Sequence, residues 1–415
     1  TTDVQTSGTD NLQGDTRRLL IESQDTDRPT RGCGLQVRRH HPVEEPGPRT
    51  KDRSCRGHKD DAVMLTRIGT TFPNSWQYGP EEIEMFDKTA RQIEDKFPNE
   101  RNLLINTTWF GPQFKDTNDE WLKVEKIFAS GESYDNLFVL SLIDPLYLME
   151  QDLQSIINKL SIKKTYMIGM FLNTQYEYNF HAIVGDHLMP KYKDEDVMLK
   201  EYDKDFLCYQ RKPRVWRVDF ADLARKNDLL DNGIMTLGAK TEDDYGWSEG
   251  RIWEPMTLDE SHEPYKDDGQ DNPTHYGGIP NDLVTVGSLD VWNRCFLYIS
   301  SETVFNQWEP LFANERIWKS MIGLRPFVVQ GNPDTYKWLE GHGFKTFNQY
   351  WPHVKMEDSK TVLDDIIQVL KFLDTKSAEE KMVMYNDMLP ALKHNKNRFY
   401  EFSREQKHKM ENIFR

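Results

Sequence analysis

Aromatic residues are missing from the first 63 positions: all 11 Trp, 17 Tyr and 21 Phe of the 415-residue chain lie beyond them. A segment without such side chains cannot build a core, and its 11 Lys+Arg, nine of them Arg, balance 11 Asp+Glu. Stretches such as 42–48 hold too little apolar surface to offset the entropy of ordering, so residues 1–63 are expected to be disordered. The whole net charge of −15 then belongs to residues 64–415, and basic usage changes from Arg to Lys at the same boundary. This shift predicts that Met64 is the natural start and that the upstream stretch is an extension.

Cysteine is scarce. Cys33, Cys55, Cys208 and Cys295 have no CxxC spacing, which excludes a disulfide-rich scaffold and points to a reducing compartment. Long hydrophobic runs are also lacking. The longest, around 137–143 and 166–172, are strand-length, and no signal-peptide pattern opens the chain, so a cytoplasmic protein without a membrane span is expected. The excess of acid excludes a nucleic acid as the main partner. Neither a Walker phosphate loop nor a GxGxxG fingerprint occurs, which removes the simplest ATPase and dehydrogenase readings. Asn106–Thr107–Thr108 matches a glycosylation sequon but ends a predicted strand, where it serves the fold.

What is present is alternation. Ile83, Phe86, Ala90, Ile93 and Phe97 fall on one face of a predicted helix over 80–97, with Glu81 and Glu82 favouring its start. Strands over 103–109, 136–143 and 164–172 and helices over 121–128 and 151–160 continue the pattern, predicting an α/β domain with a mainly parallel sheet. A second unit begins with a strand over 206–210, a helix over 214–230 and a strand over 234–238. Residues 241–281, rich in Asp, Gly, Pro, Tyr and His, form a long functional loop. Alternation then resumes with a strand over 295–300, a helix over 314–324, a strand over 326–330 and a helix over 333–341 capped by Asn332. Residues from 358 onward read as helices. The expected organisation is therefore an extension over 1–63, an α/β domain on the acceptor side over 64–200, a second α/β domain that binds a nucleotide over 201–352, and helices over 353–415. Two Rossmann-like domains are the expected fold class.

Ligands of open α/β sheets bind beyond the carboxyl ends of the strands, where the following helices start. Arg211, Lys212 and Arg214 stand at one such junction, with Arg217 one turn into the helix. Guanidinium forks and free helix-start N–H groups both suit phosphate oxygens, so this cluster is an expected anion site. A second junction carries Glu302 and then Glu315 and Arg316. From spacing alone, the favoured expectation is that Glu315 is only a first-turn acid and Glu302 a surface loop residue.

The segment CFLYISSET…NERIWKSMIGLRPFVVQG, residues 295–331, resembles the nucleotide-binding signature of the α1,3-fucosyltransferase family. That signature is a strand, an acid-bearing turn, a Glu-Lys-Leu-Trp-type helix and a Pro-Val-Val strand. Glu302 aligns with the first acid, and Glu315 and Arg316 with the Glu-Lys pair, arginine standing where the family has lysine. The segment FLCYQRKPRVWRVDFADL…GIMTLG is similar to the family's arginine-bearing turn. The two together are also similar to uncharacterised glycosyltransferase-like proteins of large phages and viruses. The resemblance implies a GT-B architecture and transfer from a nucleoside-diphosphate sugar, a GDP-sugar above others, to a glycan or surface acceptor in the cytoplasm of a bacterial or virus-infected cell. It implies a ribose contact for Glu315, a pyrophosphate contact for Arg316, and another for Arg214 or Arg217.

Inverting transfer needs a base and neutralisation of the departing diphosphate. The expected bases, from the first domain, are Glu177, His181, Asp186 and His187, with arginines in place of a metal. No metal or cofactor is expected. Asp203–Lys204–Asp205 fits an Asp-x-Asp pattern but precedes its strand, so it is expected at the opposite edge, as solvated surface. Trp247, Trp253, Tyr265 and Tyr276 are expected sugar contacts, with Trp292 beside the cleft and Trp318 in the core. The rival expectation is a carbohydrate-binding or virion-associated protein that keeps the fold without turnover.

Overall fold

A computed structural model describes residues 65–68, 79–106, 119–141, 157–169, 179–200, 202–210, 212–239, 248, 250–256, 275–276, 279–280, 285–303, 305, 311, 313–352, 354–358 and 360–414. The expected disorder of 1–63 lies outside them, as do Trp247, Tyr265, most of the loop over 241–281, Glu177 and Arg211.

Two four-stranded parallel sheets organise the chain. The first runs β1 (Leu65–Ile68), β2 (Asn102–Asn106), β3 (Asn136–Ser141), β4 (Lys164–Gly169) in that spatial order. Helices α1 (Gly79–Lys96) and α2 (Asp119–Ser130) join successive strands. The predicted apolar face of α1 forms as Phe86, Ala90 and Ile93, all buried, but Ile83 is 44% exposed because the stripe outruns the core at the helix start. After β4 come α3 (Phe180–Leu188), a helix that the apolar spacing does not predict, and the short α4 (Asp194–Val197).

The second sheet is built from β5 (Lys204–Gln210), β6 (Gly233–Leu237), β9 (Cys295–Ser301) and β10 (Phe327–Gln330), in the order β10-β9-β5-β6. Between β6 and β9 lie the two-residue β7 (His275–Tyr276) and β8 (Ile279–Pro280). Helix α5 (Val215–Lys226) connects β5 to β6, and α6 (Leu289–Arg294) leads into β9. The chain proceeds from β5 outward to β6, then crosses back to place β9 on the other flank of β5, with α7 (Glu315–Ile322) leading on to β10. The direction of winding thus reverses between β5 and β9, and the loops leaving their carboxyl ends diverge there. Gly233 opens β6 under the ring of Phe206, where a Cβ would lie 2.2 Å from that ring.

Three further helices complete the chain: α8 (Asp334–Gly341), α9 (Val362–Asp374) and α10 (Ala378–Glu411). The start of α10 is fixed by reciprocal bonds between Ser377 and Glu380, a capping box. At about 1.5 Å per residue α10 is roughly 50 Å long, enough to serve both sheets. It packs against α3, α7 and α1. At its end, Gln92 on α1 donates to Met410 O and accepts from Ile413 N, each at 3.0 Å. Phe414 then meets Phe97 and Phe138 edge-on at 5.6 Å, beside the stacked Phe138–Tyr166 pair. Phe414 therefore closes the core of the first sheet. A Phe414→Ala variant should lose about 2 kcal/mol in urea unfolding, less than a fully enclosed phenylalanine because Phe414 is 9% exposed. Amide exchange should accelerate in β2–β4 more than in β5–β10.

The edge opposite the switch point is tied down by buried polar groups. Asp205 is buried, contrary to the solvated surface expected, because Lys381 from α10 reaches it at 2.6 Å and Tyr202 also bonds to it. Burial raises its carboxyl pKa against the pull of Lys381. Asp203 pairs instead with Arg294. Both carboxylates do sit at the amino end of β5. Trp292 is core and not cleft lining, its indole N–H donating to Gly323 O at 2.7 Å, while Trp318 is buried as expected. No described helix is long and apolar enough to cross a membrane.

Candidate functional site

Polar residues end the apolar strands at the carboxyl edge of the second sheet. Gln210 closes β5 and Gln330 closes β10, and their side chains meet across the sheet, Gln210 Nε2 donating to Gln330 Oε1 at 2.7 Å. Gln330 Nε2 donates onward to Trp216 O in the first turn of α5. Buried amides at strand ends are affordable only when bonded, and this pair fixes the floor of the edge.

Arg217 joins the two diverging loops. It is 1% exposed, and its guanidinium donates to Lys212 O at 3.1 Å, Ser301 O at 3.0 Å and Glu302 O at 2.9 Å. Burial holds its pKa well below the usual range, helped by the like charges of Arg316 and Arg214. Its bonds to main-chain carbonyls make it the strut that positions the edge. Arg214 precedes α5, with its guanidinium 5.5 Å from the Trp216 ring, which in turn stacks on Phe305.

Glu302 is also enclosed. Ser300 Oγ donates to its Oε1 at 2.6 Å, and burial raises its pKa to about 7 despite the attraction of Arg316 and that hydroxyl. At the start of α7, Asn314 caps the helix by accepting from Arg316 N at 2.9 Å. Arg316 Nη1 lies 3.2 Å from Thr303 Oγ1 and 3.4 Å from Glu315 Oε1. Burial would push the Glu315 carboxyl up, but Arg316 and His181 bring it below its ordinary value.

His181 comes from the other half of the chain. Asn179 caps α3 by accepting from Ala182 N, and its amide donates to Ala313 O at 2.9 Å, which pins the start of α3 to the start of α7. His181 Nδ1 consequently lies 3.4 Å from Glu315 Oε2, both side chains being under one-tenth exposed. At 3.4 Å and without hydrogen-bond geometry, this is a close approach of imidazole and carboxylate rather than a bond.

The edge thus gathers Arg214, Arg217, Glu302, Glu315, Arg316 and His181. Lys212 contributes its carbonyl. Asp186 and His187 lie elsewhere, further along α3, and Glu177 and Arg211 are outside the described residues. Sequence reasoning missed Gln210, Ser300 and Gln330, whereas Asn314 stands in the second junction together with Glu315 and Arg316. The signal of those three was present, as a polar residue at the end of each apolar strand run. Among the described residues no group of three or more His, Cys, Asp or Glu is arranged to hold a metal ion. Comparison of the chain with protein-family models, curated proteins and solved structures finds no match.

Proposed function

We propose that the chain is a glycosyltransferase that takes its sugar from a nucleoside diphosphate, with the two sheets forming a GT-B pair and the donor on the second. The observation that carries this reading is the convergence of three arginines on the crevice between β5 and β9. Like charges held together, one of them buried, repel at a cost that a bound diphosphate would offset, and helix starts add N–H donors for its oxygens. Arg214 and Arg316 would face the diphosphate and neutralise it as it leaves, while Arg217 holds the two loops in register. His181, beside Glu315, is the base in this reading, removing the acceptor hydroxyl proton as that oxygen attacks the anomeric carbon and the carbon–phosphate-oxygen bond breaks. Glu315 then acts through His181, a role beyond the ribose contact implied by resemblance.

A thermal-shift screen against GDP-, UDP-, CMP- and dTDP-linked sugars tests the donor, because a ligand of the native state raises Tm. One nucleotide class should stabilise the protein. Arg316→Ala and Arg214→Ala should each weaken it at least about tenfold, roughly the worth of one charge-assisted bond. Unchanged affinity in both would sink the assignment. His181→Gln should bind the donor normally yet lose hydrolysis or transfer. A wild-type protein that binds donor without either reaction would instead be the non-catalytic relative.

A further inference from the structure

The loops that diverge between β5 and β9 carry an aromatic pair as well as arginines. Trp216 stands in the first turn of α5, just beyond Arg214, and Phe305 follows the end of β9. Their rings stack, with centroids 5.4 Å apart and planes within 18° of each other. The main chain under Trp216 is held by Gln330, whose Nε2 donates to Trp216 O at 3.0 Å, so the ring stands on a fixed edge. Both residues are half-buried, unlike Trp292, Trp318 and Trp351, which are enclosed in the core. A flat apolar surface left accessible at the ligand edge of a parallel sheet suits another ring system.

The order of groups along the crevice gives it a polarity. At one end His181 approaches Glu315, whose Oε1 lies 3.4 Å from Arg316 Nη1. In the middle, Arg316 and Arg214 are both close enough to the strut Arg217 to repel its charge. At the other end the Arg214 guanidinium is 5.5 Å from the Trp216 ring, within cation–π range, and Phe305 stacks on that ring. Imidazole and acid, then arginines, then an aromatic pair match the order of reacting sugar, diphosphate and nucleoside.

We infer that the nucleobase of the donor stacks on the Trp216–Phe305 pair and that the pair favours purine nucleoside diphosphates. A bicyclic base covers more of a two-ring platform than a pyrimidine does, and stacking strength sets such preferences. The inference rests on the reading of the arginine crevice as a diphosphate site. It adds which end of the donor faces His181 and which class of nucleotide the site selects.

Calorimetric titration of the wild-type protein with GDP, ADP, UDP, CDP and inorganic pyrophosphate tests it. At least one purine nucleotide should bind at least about tenfold more tightly than pyrophosphate and about threefold more tightly than UDP and CDP. Pyrophosphate carries at least as much charge, so the excess belongs to the nucleoside. Trp216→Leu and Phe305→Leu keep an apolar side chain but remove the π face. Each should lose at least about fivefold for that purine nucleotide and leave pyrophosphate affinity within about twofold. An equal loss for nucleotide and pyrophosphate would mean that the pair only braces the two loops, and would overturn the inference. So would pyrimidine nucleotides binding as tightly as purine ones in the wild type, or unchanged purine affinity in both variants. Pyrophosphate binding as tightly as every nucleotide refutes the platform and leaves the diphosphate site standing. Binding of none of the five probes refutes the diphosphate site itself, and the platform with it.

Discussion

Arg325→Ala should destabilise the protein by about 4 kcal/mol, the loss combining unsatisfied buried acceptors with the space left by the side chain. Arg325 is 1% exposed and has no carboxylate partner among the described residues. Its guanidinium donates to Val197 O at 2.8 Å, Trp292 O at 2.9 Å and Leu324 O at 3.1 Å, between the rings of Trp292 and Tyr385. The hydroxyl of Tyr385 donates to Leu324 O and accepts from Leu199 N and Arg325. One side chain therefore ties α4, α6 and α10 to the turn before β10, and Leu324 in that turn has φ of +51°. Burial lowers the pKa of Arg325 to about 10, a cost of about 3 kcal/mol to the charged form. Arg325→Met removes that cost and keeps most of the volume, so it should lose only about half as much as alanine. Urea unfolding of the three proteins checks the order. Equal losses for Met and Ala would mean that the carbonyl bonds outweigh desolvation and packing together. The site lies at the other edge of the sheet, so donor affinity per folded molecule should be unchanged in both variants.

The elements of the second sheet were legible because each announces itself locally. The apolar run Phe206–Gln210 and the strand near Gly233 appear within two residues of the expected bounds, whereas the helix between them starts as expected but ends at Lys226, four residues early. Helix α3 was not, although Asn179 is a good cap, because Ala182, Gly185 and Met189 are buried while residues between them vary, leaving no clear polar face. Strand order cannot be read from periodicity at all. The reversal between β5 and β9 depends on which flank the returning chain takes, yet that reversal makes the crevice. The arginines and acids of the two junctions were recognisable as residue types at helix starts. That Arg217 serves as a strut, that Glu315 faces His181 and that Asp205 is buried follow from partners far away in sequence, including Lys381, 176 residues distant.

Glu302 should make the protein lose stability as pH rises from 5 to 8. Its folded-state pKa of about 7 exceeds the ordinary 4.5, mainly through burial. Below about pH 4.5 the carboxyl is protonated in both states and burial carries no charge penalty. Between 4.5 and 7 the unfolded chain ionises first, so the native state holds more protons and stability falls with pH. The fall is complete above about pH 7, and a shift of this size corresponds to about 3 kcal/mol. Glu302→Gln has no such proton to lose. It should match the wild type near pH 5 and exceed it by about 2–3 kcal/mol at pH 8 in urea unfolding. Comparing the two proteins at both pH values cancels the other carboxylates, and a double difference near zero would show that Glu302 is not held in this environment. The same titration reaches the proposed donor. Protonated Glu302 leaves the charge of Arg214, Arg217 and Arg316 less compensated, which favours a diphosphate beside them. Between pH 6 and 8 the affinity of the wild type for nucleoside diphosphate should therefore fall relative to that of Glu302→Gln, a ratio in which the titration of the ligand's own phosphate cancels.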